Sequence, residues 1–466
     1  MLPGALEGSP GERRIPPAAN APQGKSQETW AVVGGGFLGM TLALRLAQQG
    51  KTVTLFEAAP FLGGVAAPWR LGDIVWDRHY HVILFSDLHL HALLDELGLK
   101  DDLIWGKTRT GFYVDSRLHS ISNAFEFLRF PPLTLYGKLR LGAAILRAAT
   151  IKDWQSLEAV PVEEWLTKWS GSAVTKKVWL PLLRAKLGDC YRETSAVFIW
   201  ATIARLYGAR RTRAKTEVFG YLAGGYARIV AGFHRLLVEQ GVSIRLGRAV
   251  RSINSYRGGR LQVEPDSGAA ETFSNVVVTA ASPLAARMCP DLSVEEKDQL
   301  FAISYQGIIC ASLLLENPLS GFYLTNIADS RVPYTAVVEM SALVEPSQFG
   351  GRALVYLPKY VSPDSPYFQR TDDEIREEFE SALAQMYPSF VKNQCLSFRV
   401  SRVRYLLPIP TIHHSRKVPK ISTSVRGLYI VNSTQIVDGT LNVNETVRLA
   451  ESAAQELALR SALGGS

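Results

Sequence analysis

The feature that most constrains this chain is a glycine motif directly behind a short apolar run. Gly34, Gly36 and Gly39 follow the run Trp30–Val33, and a helical pattern of apolar residues comes next. In this order of strand, glycine turn and helix, the missing side chains let the main chain approach a pyrophosphate, which lies at the helix N-terminus. The sequence therefore predicts a dinucleotide-binding turn. Its expected cofactor-binding residues are Gly34, Gly36, Phe37, Leu38 and Gly39.

An acidic residue closes the second strand of this unit. The run Val53–Phe56 ends on Glu57, about 20 residues beyond the glycine turn, where a carboxylate accepts hydrogen bonds from an adenosine ribose. Gly63 and Gly64 follow shortly afterwards, and a second glycine pair lets the chain pass close to a bound cofactor. A simple nicotinamide dehydrogenase has no need of that pair, so we expect FAD rather than NAD.

Length and composition limit the remaining possibilities. The chain has 466 residues, of which 47% are hydrophobic. It is too long for one compact core and predicts two interleaved domains. Its four scattered cysteines form no C-x-x-C pair, which indicates neither a disulfide framework nor a zinc site. We therefore expect no metal and a reducing, cytoplasmic environment.

The N-terminal residues and the net charge exclude further classes. Residues 1–28 are rich in proline, glycine and alanine and lack the apolar core of a secretory signal, so we expect a disordered tail. No apolar stretch reaches the roughly 18 residues of a membrane-spanning helix. The net charge of +8 is not concentrated in a nucleic-acid motif, so no nucleic-acid partner is predicted. Attraction to anionic lipid or acidic ligands remains open beside an ordinary solvated surface.

Several segments resemble the superfamily of FAD-dependent amine oxidases, protoporphyrinogen oxidases and phytoene desaturases. Glu57 with Gly63 and Gly64 is similar to the E-x(5)-G-G continuation of that superfamily. Residues 77–87 resemble the segment that returns under the flavin, and the glycine pair at 224–225 resembles the one that opens a long helix before the third Rossmann strand. The pattern is closest to the protoporphyrinogen oxidase-like branch. UDP-galactopyranose mutase belongs to the same structural group.

The resemblance implies an α/β fold. A Rossmann-type, glutathione reductase-like FAD-binding domain would be interleaved with a substrate domain made of a mixed sheet and helices. We expect the FAD-binding domain over 29–85, 216–285 and 420–462, a helical insertion over 86–215 and the mixed-sheet part over 286–419.

The resemblance also implies further cofactor contacts. Val250 would contact the adenine through its backbone. A C-terminal helix would point its N-terminus at the flavin pyrimidine, where a helix N-terminus favours the negative charge of reduced flavin. Asp438, Asn442 and Val443 are the residues expected there. No cysteine lies near this segment, so FAD would be bound non-covalently.

The catalytic residues are less strongly indicated. His79 and His81 alternate along one segment, so they would share one side of a predicted strand and could transfer a proton or orient an anionic substrate. A structural role is the alternative for both. Arg404 would line the pocket by resemblance, with packing as its alternative. The flavin-facing lysine of amine oxidases falls near Cys310, and Lys359 lies well downstream, so amine oxidation is disfavoured.

Two cationic segments are candidates for ligand contact. Residues 131–150 are apolar, with three cations and no acid. They predict either a helix lying on a membrane or a core helix with its cations toward solvent. A second basic cluster could hold phosphate or form a solvated surface. This cluster comprises Arg205, Arg210, Arg211, Arg213 and Lys215.

The leading hypothesis is an FAD-dependent oxidoreductase. Hydride would pass between flavin N5 and a hydrophobic substrate, such as a polyprenoid, carotenoid-like or porphyrin-like molecule, with oxygen, a quinone or a nicotinamide as the redox partner. The alternative is a redox-neutral sugar-nucleotide enzyme resembling UDP-galactopyranose mutase. A third hypothesis keeps FAD as a structural ligand of a binding protein. The enzyme would be cytoplasmic, at the inner face of the membrane if residues 131–150 bind lipid.

Overall fold

The structure of the protein, a computed structural model, describes residues 28–208 and 217–463. The predicted N-terminal tail lies outside these residues except for Glu28. Four cations of the second basic cluster also lie outside them: Arg210, Arg211, Arg213 and Lys215.

The strands are numbered along the described chain. They are β1 Thr29–Val33, β2 Thr52–Phe56, β3 Pro68–Leu71, β4 Ile74–Asp77, β5 Leu103–Lys107, β6 Thr110–Val114, β7 Arg117–Ser120, β8 Val218–Leu222, β9 Ser243–Arg245, β10 Val250–Tyr256, β11 Arg260–Pro265, β12 Glu271–Phe273, β13 Asn275–Val278, β14 Tyr305–Leu315, β15 Leu324–Ile327, β16 Ala336–Glu339, β17 Ala353–Val361, β18 Cys395–Pro408 and β19 Leu428–Ile430.

The α-helices are numbered in the same way. They are α1 Phe37–Gln48, α2 Leu88–Glu96, α3 Ala124–Leu128, α4 Leu135–Thr150, α5 Val162–Ser170, α6 Ser172–Val174, α7 Leu180–Leu187, α8 Val197–Gly208, α9 Tyr226–Glu239, α10 Ser282–Met288, α11 Val294–Phe301, α12 Asp372–Met386, α13 His414–Lys417 and α14 Val443–Leu463.

A parallel sheet of five strands forms the first layer, in the order β19–β13–β1–β2–β9. In its centre, Val32 pairs with Leu55 on one side and with Val277 on the other. The central strands are short apolar runs because a parallel sheet is covered on both faces. The carboxyl ends of all five strands meet at one edge, where a doubly wound fold binds its ligand. The predicted Rossmann-type fold is confirmed.

The second layer is a mixed sheet of seven strands, in the order β18–β14–β17–β16–β15–β6–β7. Its strand β14 is buried along its whole length and supplies side chains to two cores. Ile309 and Leu313 pack with the residues of α12 on one face. Cys310 and Leu314 pack on the other face, with residues of the hairpin β3–β4. The predicted interleaved substrate domain of mixed sheet and helices is present.

The prediction that residues 86–215 form a helical insertion is wrong for residues 103–120, which contain β5, β6 and β7. Asp115 and Ser116 both have positive φ angles, 52° and 57°, and make the tight turn that a two-residue hairpin needs. The hairpin then extends the seven-stranded sheet through pairing of β6 with β15. The outer limits of the expected domains remain predictions.

Helices α1 and α14 lie side by side and run in the same direction. The guanidinium of Arg45 is 3.2 Å from the carboxylate of Glu451, and each of these residues lies about two turns beyond the start of its helix. One turn further on, the side chain of Gln49 donates to the carbonyl of Ala454 at 3.5 Å. The N-termini of the two helices are therefore level, at the same end of the domain.

Candidate functional site

The glycine turn between β1 and α1 has no room for side chains at two of its positions. Gly34 has a φ of +115°, and a Cβ atom there would lie 2.3 Å from Thr279 Oγ1. A Cβ atom on Gly39 would lie 1.8 Å from the carbonyl oxygen of Gly34. At Gly36, by contrast, the nearest atom to an added Cβ is 4.0 Å away. The turn is thus closed on its inner side and leaves open space beside Gly36, as an approaching pyrophosphate requires.

The second glycine pair lies against the first. The N–H of Gly63 donates to the carbonyl of Gly35 at 2.8 Å, and a Cβ atom on Gly64 would lie 3.1 Å from the Cα of Gly36. Gly63 and Gly64 both have positive φ angles, 109° and 58°, which glycine adopts without strain. The loop therefore borders the open space beside Gly36.

Glu57 is oriented by the main chain around it. One carboxylate oxygen accepts from the N–H of Gly35 at 2.6 Å, and the other accepts from the N–H of Ala59 at 2.7 Å. The N–H of Arg248 donates to the carbonyl of Glu57 at 2.9 Å. The next strand begins at Val250, which packs on the core formed by β1, β2 and β13. The structure therefore brings the expected ribose-binding acid and the start of β10 together.

The C-terminal helix begins beside this region. The Asn442 side chain accepts from the N–H of Glu445 at 3.1 Å and so caps α14, and Val443 packs against the core around α1. Asp438, just upstream, pairs with Arg448. Because α14 and α1 start at the same level, two positive helix ends point in one direction. The arrangement suits a ligand that brings a group with negative charge to each of the two helix N-termini.

His79 and His81 do not share one side of a strand as predicted, because strand β4 ends before them. Strand β4 ends at Asp77, and residues 78–82 have no regular structure. His79 is buried, and its Nε2 lies 3.1 Å from Ser401 Oγ on β18. His81 instead places its ring 4.8 Å from that of Tyr226 on α9. The two histidines therefore contact different elements rather than one face of a strand.

Both histidines are held neutral. Burial, with smaller contributions from the neighbouring His81 and Arg78, lowers the pKa of His79 to about 3. Burial also lowers the pKa of His81 to about 4, although His81 is less enclosed than His79. A neutral imidazole accepts or donates a hydrogen bond without bringing charge to the site.

Sequence reasoning missed the groups around these histidines. Burial raises the pKa of Asp77 to about 8, although the N–H of Tyr226 donates to its carboxyl group. The Tyr356 hydroxyl donates to the carbonyl of Asp77 at 2.6 Å, and the hydroxyls of Tyr80 and Tyr360 are 3.5 Å apart. Tyr356 and Tyr360 are an even number of residues apart on β17, so a period-two pattern could have placed them on one face.

Arg404 does not join this cluster. It is exposed, donates to the carbonyl of Pro363 and lies with its guanidinium 4.5 Å from the ring centroid of Phe368. Ser401, which contacts His79, lies on the opposite face of β18. The expected pocket role of Arg404 is therefore not supported, because strand alternation turns its side chain away from the histidines.

Cys310 and Lys359, the two positions considered for a flavin-facing lysine, lie on opposite faces of the seven-stranded sheet. Cys310 is fully buried on the face that includes the partly buried Tyr80, and burial raises the pKa of its thiol. Lys359 lies on the other face, where its Nζ donates to the carbonyl of Pro333 at 2.5 Å and packs over the Tyr367 ring. Neither position presents a lysine to the histidine segment.

The sequence profile of the flavin containing amine oxidoreductase family matches residues 39–458. The chain belongs to this family. The predicted superfamily and the prediction of a flavin-dependent oxidoreductase enzyme are confirmed, and membership implies a flavin cofactor. The glycine cradle, the oriented acid and the two helix N-termini fit such a group.

The chain is similar to proteins that are named for different substrates. The zeta-carotene desaturase of Zea mays is 22% identical in an alignment of length 436 that covers 81% of this chain and 74% of that protein. The coproporphyrinogen III oxidase of Mycobacterium tuberculosis is 27% identical over 271 residues. This second alignment covers 51% of this chain and only 57% of the relative.

Solved structures of flavin-family fold share the architecture. One, from Exiguobacterium sp. and assigned as a protoporphyrinogen oxidase, has a TM-score of 0.73 at 19% identity and covers 93% of this chain and 99% of its own. Reduced UDP-galactopyranose mutase has a TM-score of 0.69 at 14% identity, with coverage of 93% and 96%. At these identities the likeness concerns the fold.

The open space beside Gly36 gives a first prediction. Gly36→Ala should fold normally, since the added Cβ meets no atom closer than 4.0 Å. It should nevertheless lose bound flavin at least about tenfold, because the methyl group occupies the path of the pyrophosphate. Flavin absorbance per protein chain in purified samples measures this. Gly142→Ala, on an open helical position, is the control, and normal flavin content in Gly36→Ala would refute the assignment.

The pKa shifts give a second prediction, for stability between about pH 4.5 and about pH 6.5. As the pH falls through this window, the unfolded chain protonates two histidines that the folded chain keeps neutral. This lowers the free energy of unfolding by up to about 1.4 kcal/mol per pH unit for each histidine. Asp77 acts in the opposite direction, because the folded chain keeps its proton up to a pKa of about 8.

Substitutions can separate the opposing contributions of the histidines and of Asp77 to the free energy of unfolding. His79→Gln should flatten the dependence of the unfolding free energy on pH, and Asp77→Asn should steepen it, each by up to about 1.4 kcal/mol per pH unit. Urea unfolding of both variants and the unsubstituted protein across the window provides the measurement. Parallel pH profiles for the three proteins would contradict the burial of these groups in the stated protonation states.

Proposed function

We propose that this enzyme is an FAD-dependent oxidoreductase that exchanges hydride with a hydrophobic substrate. The observation that carries the proposal is the buried, neutral state of the histidine segment. The resemblance places the flavin-facing lysine of amine oxidases near Cys310, which is a buried thiol here. The two histidines beside it are neutral at physiological pH. Buried neutral residues favour an apolar substrate, since a charged one would lose hydration without a partner among them. The cations Arg78, Arg205 and Lys186 lie at the margin of this segment.

The proposed cofactor contacts follow the geometry of the cradle. Main-chain N–H groups at the start of α1, near Phe37 and Leu38, would bind the pyrophosphate. Glu57 would hold the ribose, and Val250 would lie beside the adenine. The N-terminus of α14 at Asn442 would face the pyrimidine ring and favour negative charge there.

We propose that FAD is held without a covalent bond. The four cysteines are free, and three of them are buried: Cys289, Cys310 and Cys395. None lies in the segment that leads into α14. When bound, the flavin supplies the hydride acceptor or donor at N5.

The protein's own side chains would keep the site dry and position the substrate. His79 is fixed by Ser401 and serves to hold the segment against the seven-stranded sheet. His81 is less enclosed, and its Nδ1 lies 2.9 Å from the carbonyl oxygen of His79. Its Nε2 is the better candidate for moving a proton. The tyrosines Tyr80 and Tyr360 supply apolar rings with hydroxyl groups at the site. Exclusion of water protects the hydride transfer.

The substrate class can be tested with the flavin absorption spectrum, our third prediction. Adding a lipid extract from the host to the oxidised enzyme without oxygen should bleach the flavin bands, because a lipid substrate donates hydride. The aqueous fraction of the same cells is the control and should leave the spectrum unchanged. Readmitting oxygen, or adding a quinone, should restore the bands and identify the redox partner.

Other outcomes of that experiment would point elsewhere. Bleaching by the aqueous fraction alone would overturn the hydrophobic substrate. Bleaching by reduced nicotinamide followed by reoxidation with lipid would indicate a reductase. Saturable binding of uridine diphosphate to the reduced enzyme, with no response to lipid, would instead support a redox-neutral enzyme of the UDP-galactopyranose mutase type.

A second part of the proposal concerns an exposed apolar surface, which we call the α3–α4 face. Its large apolar side chains are between 52% and 68% exposed: Phe125, Leu128, Leu135, Tyr136, Leu139 and Leu146. Leu135, Leu139 and Leu146 follow the spacing of one helical stripe. The core-helix interpretation of residues 131–150 is therefore incomplete, since only the opposite side of α4 is buried.

Cations surround the α3–α4 face. The Arg129 guanidinium lies 4.0 Å from the ring centroid of Phe125, and that of Arg140 lies 5.9 Å from the ring centroid of Tyr136. No acidic residue occurs in 131–150. An apolar stripe with a cationic border matches an anionic bilayer surface, in which the leucines enter the acyl boundary. We propose that the enzyme binds at the cytoplasmic face of a membrane, where a lipid substrate is available.

The helices set a limit on how the membrane is bound. None of those in 28–208 and 217–463 has both the length and the apolarity that crossing a bilayer demands. Contact through the α3–α4 face would thus be peripheral.

Vesicle binding is our fourth prediction. The double variant Leu135→Glu, Leu139→Glu should reduce co-sedimentation with phosphatidylglycerol vesicles at least about tenfold, since each leucine contributes about 1.5–3 kcal/mol when it is buried. Leu459→Glu is the matched control, because Leu459 is 67% exposed on α14. Equal binding of the double variant and the control would show that the α3–α4 face is not the contact.

A further inference from the structure

Two arginines from different parts of the fold meet at one tryptophan ring. The guanidinium of Arg78 lies 5.8 Å from the ring centroid of Trp69 and 5.2 Å from that of Phe61. The guanidinium of Arg399, on β18, lies 4.6 Å from the ring centroid of Trp69. The hairpin β3–β4 and strand β18 thus bring two positive charges to one place.

Neither arginine has an acidic partner in the described part of the chain. Arg399 donates to the main-chain carbonyl of Arg70 at 2.7 Å. The Arg78 side chain makes no hydrogen bond or ion pair to any described residue, and its Nε is buried without a partner. Burial, together with the charge of Arg399, lowers the pKa of Arg78.

This arrangement is costly for the protein alone. A guanidinium carries five N–H donors in its plane, and contact with an aromatic face leaves them unsatisfied. A buried donor without an acceptor destabilises the folded state, and two like charges at close range repel each other. A ligand with several oxygen atoms and negative charge would accept from both guanidiniums and neutralise them.

Arg78 and Arg399 lie next to the histidine segment of the candidate site. Arg399 and Ser401 are two residues apart on the same face of β18, which corresponds to about 7 Å. Ser401 contacts His79, and His79 follows Arg78 in the chain. Arg399 and Phe61 are exposed, so the pair opens to solvent at the outer edge of the histidine segment.

We propose that Arg78 and Arg399 form a binding site for an oxyanion, the phosphate or carboxylate group of a ligand whose apolar part lies against Phe61 and Trp69. The site goes beyond the proposed redox function and does not depend on it. Its two arginines supply the N–H donors and the charge, and the two rings supply the apolar walls.

The oxyanion site is separate from the α3–α4 face. Strand β18, which carries Arg399, is at one edge of the seven-stranded sheet, and the hairpin β6–β7, next to α4, is at the other. Six strand spacings of about 4.8 Å put these edges about 29 Å apart. Substitutions at one surface should therefore leave the other intact.

Calorimetric titration of the flavin-loaded enzyme tests the proposal, our fifth prediction. Inorganic phosphate and succinate are the probes, and the loaded cofactor prevents phosphate from binding in the glycine turn. Arg78→Gln and Arg399→Gln should each raise the Kd of the bound probe about tenfold, and Arg399→Lys should have a smaller effect. Arg251→Gln is the control of equal charge, since Arg251 is exposed and paired with Glu264.

The outcomes are distinct. Absence of saturable binding of both probes, or equal affinities in the Arg78, Arg399 and Arg251 variants, would overturn the oxyanion site. Flavin content and unfolding midpoint of Arg399→Gln should match the unsubstituted enzyme, which shows that the variant is folded.

The same variants identify the source of the anion. If Arg399→Gln also loses binding to phosphatidylglycerol vesicles while the α3–α4 face is intact, the oxyanion is a lipid headgroup. If this variant still binds the vesicles but no longer binds phosphate or succinate, the oxyanion belongs to a small molecule. Binding is measured without turnover, so failure of the redox proposal would not affect either result.

Discussion

The close contact between the glycine turn and the first helix is the constraint on which the rest of the structure depends. Gly39 approaches the carbonyl of Gly34 so closely that a single added carbon would lie 1.8 Å from it. This contact fixes where α1 begins and how it lies on the parallel sheet. Helix α14 then lies parallel to α1, held by contacts such as Arg45 with Glu451. The direction of two positive helix ends is therefore set by one point of backbone packing.

The second glycine pair extends this geometry toward the substrate domain. Gly63 and Gly64 lie against the first turn, and the hairpin β3–β4 follows them directly. The hairpin ends at Asp77, and the histidine segment continues between β18 and α9. A displacement at the glycine turn would thus move the residues proposed to surround the flavin ring, although they are distant from the turn in the chain.

The proposed site is polar in composition and neutral in charge. Histidines, tyrosines and one aspartic acid are packed together. Burial shifts the pKa toward the uncharged form in Asp77, His79, Tyr80, His81 and Tyr356. Such groups can satisfy one another by hydrogen bonds, as Tyr356 does with the carbonyl of Asp77. Charged side chains lie at the edge of this cluster: Arg78 and Arg399 at the histidine segment, and Lys186 over the Tyr360 ring.

The sequence by itself determined the cofactor domain, because its signals are local. The glycine spacing, the terminal Glu57 and the two apolar runs around α1 all act within about 30 residues, and β1, α1 and β2 formed where expected. Only the tertiary structure decided the surroundings of His79, the side of β18 on which Arg404 lies, and the meeting of Arg78 with Arg399. His79 and Ser401 are 322 positions apart, and strand register and sheet order, which no local pattern encodes, bring such residues together.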